Sequence, residues 1–278
     1  MGKTIRLNDR STVVESKMTN ENLFHIINNR RSIRKFLDKE IPKELIEKIL
    51  AAGFRAPFAY QSCSIVSTQA KAKISKLKKM GIYPSTKLFM VFFIDFHRVE
   101  KLLHKQGYKY DFDDSLFLWL AIQDATLVCE NVILAAEAVG LGSVLLGGAP
   151  FLYNEIKTVF NTPPKVFPVV GLCLGWPDPE HIMTVRPRFP LKYSAFEDTY
   201  KPFTDEMIQE CMKAMDEGYL TQGYYIKLGA KIPLKNKEDK IGVDKYSWSE
   251  HISRKISQGS WYKETLPTIL RKEGFNLE

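Results

Sequence analysis

The sequence predicts a layered α+β fold, helices packed on a small buried sheet. Three observations carry that prediction. The runs KLFMVFFIDF (Lys87–Phe96) and VFPVVGLCLGWP (Val166–Pro177) are apolar almost throughout and rich in β-formers, the pattern of strands covered on both faces. The segment Asp114–Val139 is apolar at helical spacing for about seven turns. Helical and strand patterns alternate along 278 residues of which 45% are hydrophobic and 26% charged, enough for a substantial core.

The elements follow in order. A polar leader over residues 1–20 precedes a single domain over 21–278, whose last part, 178–278, is an extended C-terminal region. Asn22–Asn28 reads as a short helix that delivers the chain into NNRRSIRKF. IPKELIEKILAAGF spaces Leu45, Ile46, Ile49 and Leu50 as a helix, with Pro42 in its first turn. Ser64–Gln69 is a strand, KAKISKLKKM an exposed basic helix, and Lys87–Phe96 a buried strand. The Asp114–Val139 helix ends at Gly140 and, being apolar almost all round, must be buried. Its polar residues Gln123, Glu130 and Glu137 recur every seven positions with Asp124 and Asn131 alongside; hydrogen bonds to neighbouring elements explain such a stripe more simply than chemistry. GSVLLGG (Gly142–Gly148) is a short strand ending in a glycine pair, FLYNEIKTVF a helix, and Val166–Pro177 the last strand. Beyond Pro177 come irregular chain, an amphipathic helix in TDEMIQECMKAMDEGYL, a lysine-rich loop over 224–247 and a final helix near Tyr262–Lys272. With too few apolar residues for a core of its own, this tail is expected to wrap the main domain or a second copy of it.

A net charge of +8 and a pI near 9.1 raise the chance of an anionic partner without naming one. No helix-turn-helix, stacking platform or long basic face supports nucleic-acid binding. No 18-residue apolar run suggests a membrane span, no secretory core is visible near Met1, and MGKTIR puts Arg6 where myristoylation requires Ser or Thr. Cys63, Cys129, Cys173 and Cys211 show no paired spacing, so reduced structural thiols in a cytoplasmic protein are expected, with no metal site.

RRSIRKF packs Arg30, Arg31, Arg34 and Lys35 around Ser32. Guanidinium forks with a hydroxyl suit phosphate or carboxylate oxygens, but taken alone the cluster reads more readily as a solvated face. Phosphate-loop, dinucleotide and hydrolase motifs are absent from the sequence. RRSIRKF, APFAYQSCS (Ala56–Ser64), ENVILAAEAVGLGSVLLGG (Glu130–Gly148), FPVVGLCLGWP (Phe167–Pro177) and RPRFP (Arg186–Pro190), in that order and spacing, resemble the nitroreductase family of FMN-dependent oxidoreductases. YSWSEHISRKI and LRKEGF resemble the C-terminal region of its oxygen-insensitive NADPH-dependent nitroreductase and FMN reductase branch.

The resemblance implies a three-layer α/β/α fold with a mixed central sheet, in an interlocked homodimer that holds FMN at its interface. It places the cofactor's phosphate, ribityl chain and ring edge on Arg31, Ser32 and Arg34, with Arg30 preceding them. It implicates Phe58, Ala59 and Gln61 in ring contacts, Phe58 through its backbone because serine is usual there. Leu145, Leu146, Gly147 and Gly148 would lie under the ring, and Arg186 and Arg188 would close over the phosphate. It implies a flavin reduced by NADPH or NADH and reoxidised by nitroaromatic, quinone or flavin acceptors in a ping-pong cycle, with no catalytic acid or base on the protein. Gln61, or an N–H of the glycine pair, would hydrogen-bond the ring's N5 or N1 edge, and Cys63 beside it reads as buried and inert rather than redox-active. Gln222 in YLTQGYY stands where the NADPH-preferring branch has an arginine for the nucleotide's extra phosphate. That leaves the donor open, with Lys227, Lys231, Lys235, Lys237, Lys240 or Lys263 as substitutes, and motivates an alternative: a non-catalytic flavin store or sensor.

Overall fold

Every residue of Leu88–Asp95 (β2) is buried, so this strand must lie inside the sheet and be covered on both faces. The computed structural model describes residues 20–111, 113–181, 183–235, 238–258 and 264–277. Its four strands, Cys63–Thr68 (β1), β2, Gly142–Leu146 (β3) and Val166–Gly175 (β4), run in the order β1-β2-β4-β3. All three pairings are antiparallel. The mixed sheet implied by the resemblance is thus reduced to one parallel bridge, Ser32 to Ser143, where the chain after the first helix runs beside β3. The β2–β4 register slips between Phe92 and Phe93, opposite Pro168, which has no N–H to give the ladder.

The helices among the described residues are Asn20–Asn29 (α1), Lys43–Gly53 (α2), Lys71–Lys76 (α3), Phe96–Lys105 (α4), Asp114–Ala138 (α5), Tyr153–Phe160 (α6), Asp205–Thr221 (α7), Tyr224–Leu228 (α8), Trp248–Ser257 (α9) and Leu266–Lys272 (α10). Period-two alternation splits β2 between two cores. Leu88, Met90, Phe92 and Ile94 pack with α2 and α5, while Phe89, Val91 and Phe93 pack with Leu77, Met80 and Ile156 on the side of α3 and α6. The expected three layers follow.

Three expectations change. The α5 helix is buried on one side only: Ala121, Ala125, Val132 and Ala136 are inaccessible, whereas Leu116, Trp119 and Leu127 are exposed, Trp119 by 66%. Among the described residues these side chains are left uncovered. The tail does have a core, because tyrosines serve where aliphatic residues are scarce: Met215, Tyr219, Tyr224, Tyr225 and Tyr246 form a cluster between α7, α8 and α9. Buried Arg254 braces it through Glu250 at 2.6 Å and Asp239 at 2.7 Å. The end of the tail then returns to the main domain, where Ile269, Leu270 and Phe275 join the α2/α5 core and Glu273 pairs with Lys157 at 2.6 Å. The final helix begins at Leu266; Tyr262, Lys237, Lys263 and most of the leader lie outside the described residues. Helices α4, α8 and α9 add to those the sequence predicts.

Phe275 stacks edge-on against Phe96 at 5.0 Å between ring centroids. Phe275→Ala is expected to lower unfolding free energy by about 3–5 kcal/mol in denaturant titration. A change near zero would mean that the tail only drapes over the surface.

Candidate active site

After α1 the chain is extended: Ile33 N–H donates to the Ser143 carbonyl at 2.8 Å, and Phe36 bridges Pro177. Glycine at 142 permits this approach, since a Cβ there would sit 2.6 Å from Ile33 Cγ1. On an extended segment, residues three apart point to opposite sides, so Arg31 and Arg34 part company.

Arg34 donates through Nε to the Tyr83 hydroxyl at 3.0 Å and through Nη2 to the Tyr224 hydroxyl at 3.1 Å. Arg186 lies over the same Tyr224 ring, with Cζ 4.8 Å from the centroid. Burial raises the Tyr219 hydroxyl above its ordinary pKa, and the charge on Arg186, then on Arg188, opposes the rise. Arg188 is exposed, its Nη1 donating to the Arg186 and Pro187 carbonyls at 3.1 and 3.0 Å. Among the described residues, no ion pair involves Arg30, Arg31, Arg34, Arg186 or Arg188.

The segment carrying Arg186 is gripped by α7. A Cβ on Gly218 would meet Pro187 Cγ at 2.3 Å, so only glycine lets helix and proline pack this closely. One turn on, Gln222 Nε2 donates to the Val185 carbonyl at 2.9 Å, while its Oε1 is buried without a hydrogen-bond partner. Gln222 therefore acts inward, holding the chain just before Arg186.

A second group forms at the loop before β1. Asp124 on α5, 2% exposed, accepts from the N–H groups of Ala59 at 2.7 Å, Tyr60 at 3.2 Å and Ser62 at 3.0 Å, and from Ser62 Oγ at 3.0 Å. The helix thereby gives the loop the hydrogen bonds it cannot make to itself. Gln61 has a left-handed backbone, φ +52°, and its carbonyl accepts from Arg98, which also donates to the Cys63 carbonyl at 2.7 Å. Phe58, Ala59 and Gln61 stand exposed on this braced loop. Cys63 is buried, and burial pushes its thiol up to about 12, the inert condition expected of it.

At the end of β3, Leu145 is 44% exposed while Leu146 turns into the core. Gly147 is exposed, and a Cβ there would meet no atom of the described residues within 4 Å, so their packing leaves room above its backbone. Gly148 follows as the start of a short 3-10 turn. Arg31 faces a cleft of about 200 Å³ that Glu137 also lines. Burial raises the Glu137 pKa, opposed by the Ser143 hydroxyl bonded at 2.8 Å and by Arg30 and Arg31. Two members of the α5 polar stripe, Asp124 and Glu137, thus bond neighbouring elements as the sequence suggests.

Of the four arginines assigned to a phosphate, Arg34 and Arg186 share the Tyr224 side chain, Arg188 follows two residues after Arg186 and donates to its carbonyl, and Arg31 lies on the other side of the strand. Sequence reading misses Tyr83 and Tyr224, which organise the meeting, and Arg98 and Asp124's role on the loop. Tyr224, two residues after Gln222 in YLTQGYY, was within reach.

The description "Nitroreductase family" belongs to the family model that matches residues 27–81 and 76–176. The FMN reductase (NADPH) of Bacillus subtilis (strain 168) is 26% identical over 263 residues, covering 92% of this chain and 98% of that protein. The fold is similar to that of B. megaterium NfrA2, with a TM-score of 0.78, 26% identity, and coverage of 92% of this chain and 99% of that one. The NADPH:FMN oxidoreductase from Vibrio harveyi, solved in complex with NAD+, gives a TM-score of 0.71 at 25% identity over 91% of this chain and 98% of that one.

Cys63, Cys129, Cys173 and Cys211 are all buried. Burial also raises Cys129 and takes Cys173 up to about 11. Titration with a chromogenic disulfide at pH 8 is expected to detect no rapidly reacting thiol until denaturant is added; fast labelling of Cys63→Ser-sensitive sites in the native protein would overturn the inert reading.

Proposed function

This chain belongs to the nitroreductase family, and on that premise we propose that it is an FMN-dependent oxidoreductase that passes electrons from NADPH or NADH to nitroaromatic, quinone or flavin acceptors in a ping-pong cycle. The observation that carries the proposal is the convergence of Arg34 and Arg186 on Tyr224 with no ion pair to a carboxylate among the described residues. Two half-buried guanidinium groups held this close repel each other, and a dianionic phosphate placed between them turns the repulsion into charge-assisted hydrogen bonds. The residues fit FMN on a second count: Gly147 leaves its backbone open to a flat ring, since a Cβ there would meet no atom of the described residues within 4 Å.

Bound FMN supplies the chemistry, accepting and delivering a hydride; the protein supplies place and electrostatics. In this reading Arg34, Arg186 and Arg188 hold the phosphate, Tyr83 and Tyr224 fix the Arg34 fork, and Ser32 with Arg30 addresses the ribityl chain and ring edge, while Arg31, on the other side of the extended chain, faces the Glu137 cleft. The braced loop offers Phe58, Ala59 and Gln61 to the ring, and Leu145, Leu146, Gly147 and Gly148 form its floor. Arg98 and Asp124 hold Gln61 in its left-handed conformation, which keeps the side chain where the ring's polar edge would need it. The exposed apolar faces of α5 (Leu116, Trp119, Leu127) and α1 (Leu23, Phe24, Ile27) support a homodimer in which these surfaces are covered.

Purified protein is expected to be yellow and to hold about one FMN per chain. Arg34→Ala should weaken FMN binding by roughly 10- to 100-fold, the loss of charge-assisted bonds. Stopped-flow bleaching of the flavin by NADPH or NADH separates enzyme from store: bound flavin that neither donor bleaches would leave only the storage reading. Trp119→Asp is expected to shift the protein toward monomer in size-exclusion chromatography.

A further inference from the structure

A groove of about 580 Å³ runs between the strand after Arg34, the exposed side of α3 and the turn leading into β2. That volume lies within the range of small-molecule sites, roughly 300–1,000 Å³. Four lysines, Lys35, Lys71, Lys78 and Lys87, line it against one carboxylate, Asp38. Lys87 pairs with Asp38, and Lys87 and then Lys71 hold the Asp38 carboxyl below its ordinary pKa. Lys35, Lys71 and Lys78 have no ion-pair partner among the described residues. The groove is therefore net cationic.

Its position gives it a use. Tyr83 lines the groove and is also the residue whose hydroxyl accepts from Arg34, so the groove adjoins the arginine corner across a single side chain. On the far side of that corner, residue 222 is a neutral amide turned onto Val185. The two cationic sites also differ in kind. Arginine forks fixed by tyrosines suit a phosphate that stays bound, whereas exposed lysines are flexible point charges suited to an anion that arrives and leaves.

We propose that this groove binds the phosphate-bearing adenosine end of the dinucleotide reductant, the 2′-phosphate of NADPH, and so sets a preference for NADPH over NADH. The inference rests on the oxidoreductase reading of the neighbouring site. NADPH carries a dianionic group that NADH lacks, and the groove that would take it is lined by three lysines without an ion-pair partner among the described residues. Exposed pairs are individually weak, so the discrimination comes from several lysines together and falls as salt rises.

The test uses the flavin-loaded protein and its Lys71→Ala/Lys78→Ala double variant, two exposed positions outside the proposed FMN site. Bleaching is followed with each donor, and binding of 2′,5′-ADP and of 5′-AMP is measured by calorimetry. The wild type should bind 2′,5′-ADP more tightly than 5′-AMP, and the double variant should lose that margin. The half-saturating NADPH concentration should rise roughly tenfold while that for NADH and the FMN content stay unchanged. An unchanged response to NADPH, or an equal loss for both donors, overturns the proposal. If the protein held no flavin, the oxidoreductase reading would fail, while calorimetry would still decide whether the groove binds the 2′-phosphate.

Discussion

Two guanidinium groups are held against one tyrosine with no ion pair to either among the described residues, and much of the surrounding structure maintains that arrangement. Arg34 comes from the extended chain beside β3, Arg186 from the segment gripped by α7, and Tyr224 from the first turn of α8. None of the three is close to another in sequence except Arg186 and Tyr224, which α7 separates. The arrangement therefore exists only if α7 is docked at the right depth on the Val185–Arg188 segment. Gly218 against Pro187 fixes that depth, and Gln222 on the Val185 carbonyl fixes the register one turn later. By contrast Arg254, which is more deeply buried than either arginine, has two carboxylates and a carbonyl around it. The fold neutralises a buried guanidinium where its role is structural and leaves it open at the candidate site.

The α5 helix serves both the core and the site. Its inner alanines and valines let the sheet approach closely, and Asp124, set among them, is the acceptor for four donors of the loop that carries Gln61. Removing that carboxylate would leave three backbone N–H groups without an acceptor, at about 1–3 kcal/mol for each buried donor. A buried carboxylate is tolerated there because four donors converge on it. The same helix is apolar and long enough by composition to cross a membrane, but its inner face is the wall of a protein core and its outer face continues the exposed apolar surface of α1.

Much of this was legible in the sequence because it is written in local patterns. Strands β2 and β4 declare themselves as apolar runs, β3 by its closing glycines, and α2, α5 and α7 by helical spacing. The arginine cluster after α1 and the one at 186–188 were both visible, and their motifs tied them together. The rest depends on partners far apart in the chain. That Tyr83 and Tyr224 meet Arg34, 49 and 190 residues away, follows from packing and from no spacing rule. The tail's core escaped notice because it is built from tyrosines, which score as polar while burying as much surface as most aliphatic residues. The opposite directions of Arg31 and Arg34 follow from an extended backbone, which the cluster of charges alone does not reveal.

Gln222 shows how a single substitution is read differently in sequence and in space. In sequence it is a missing arginine, a loss of charge where an anion was expected. In the fold its amide is a strut between α7 and the chain before Arg186, and one of its two polar atoms is left buried without a partner. An orphaned carbonyl oxygen costs about 1–3 kcal/mol, so the contact with Val185 has to be offset by the packing it permits, chiefly the seat of Pro187 on Gly218. An arginine at 222 would keep the donor but bring a third guanidinium toward Arg186 and Arg188, raising the repulsion that the corner already contains. A neutral amide holds the segment without adding to that charge, which leaves recognition of a further phosphate to cations elsewhere, and one set without ion-pair partners among the described residues lines the groove that shares Tyr83 with the corner.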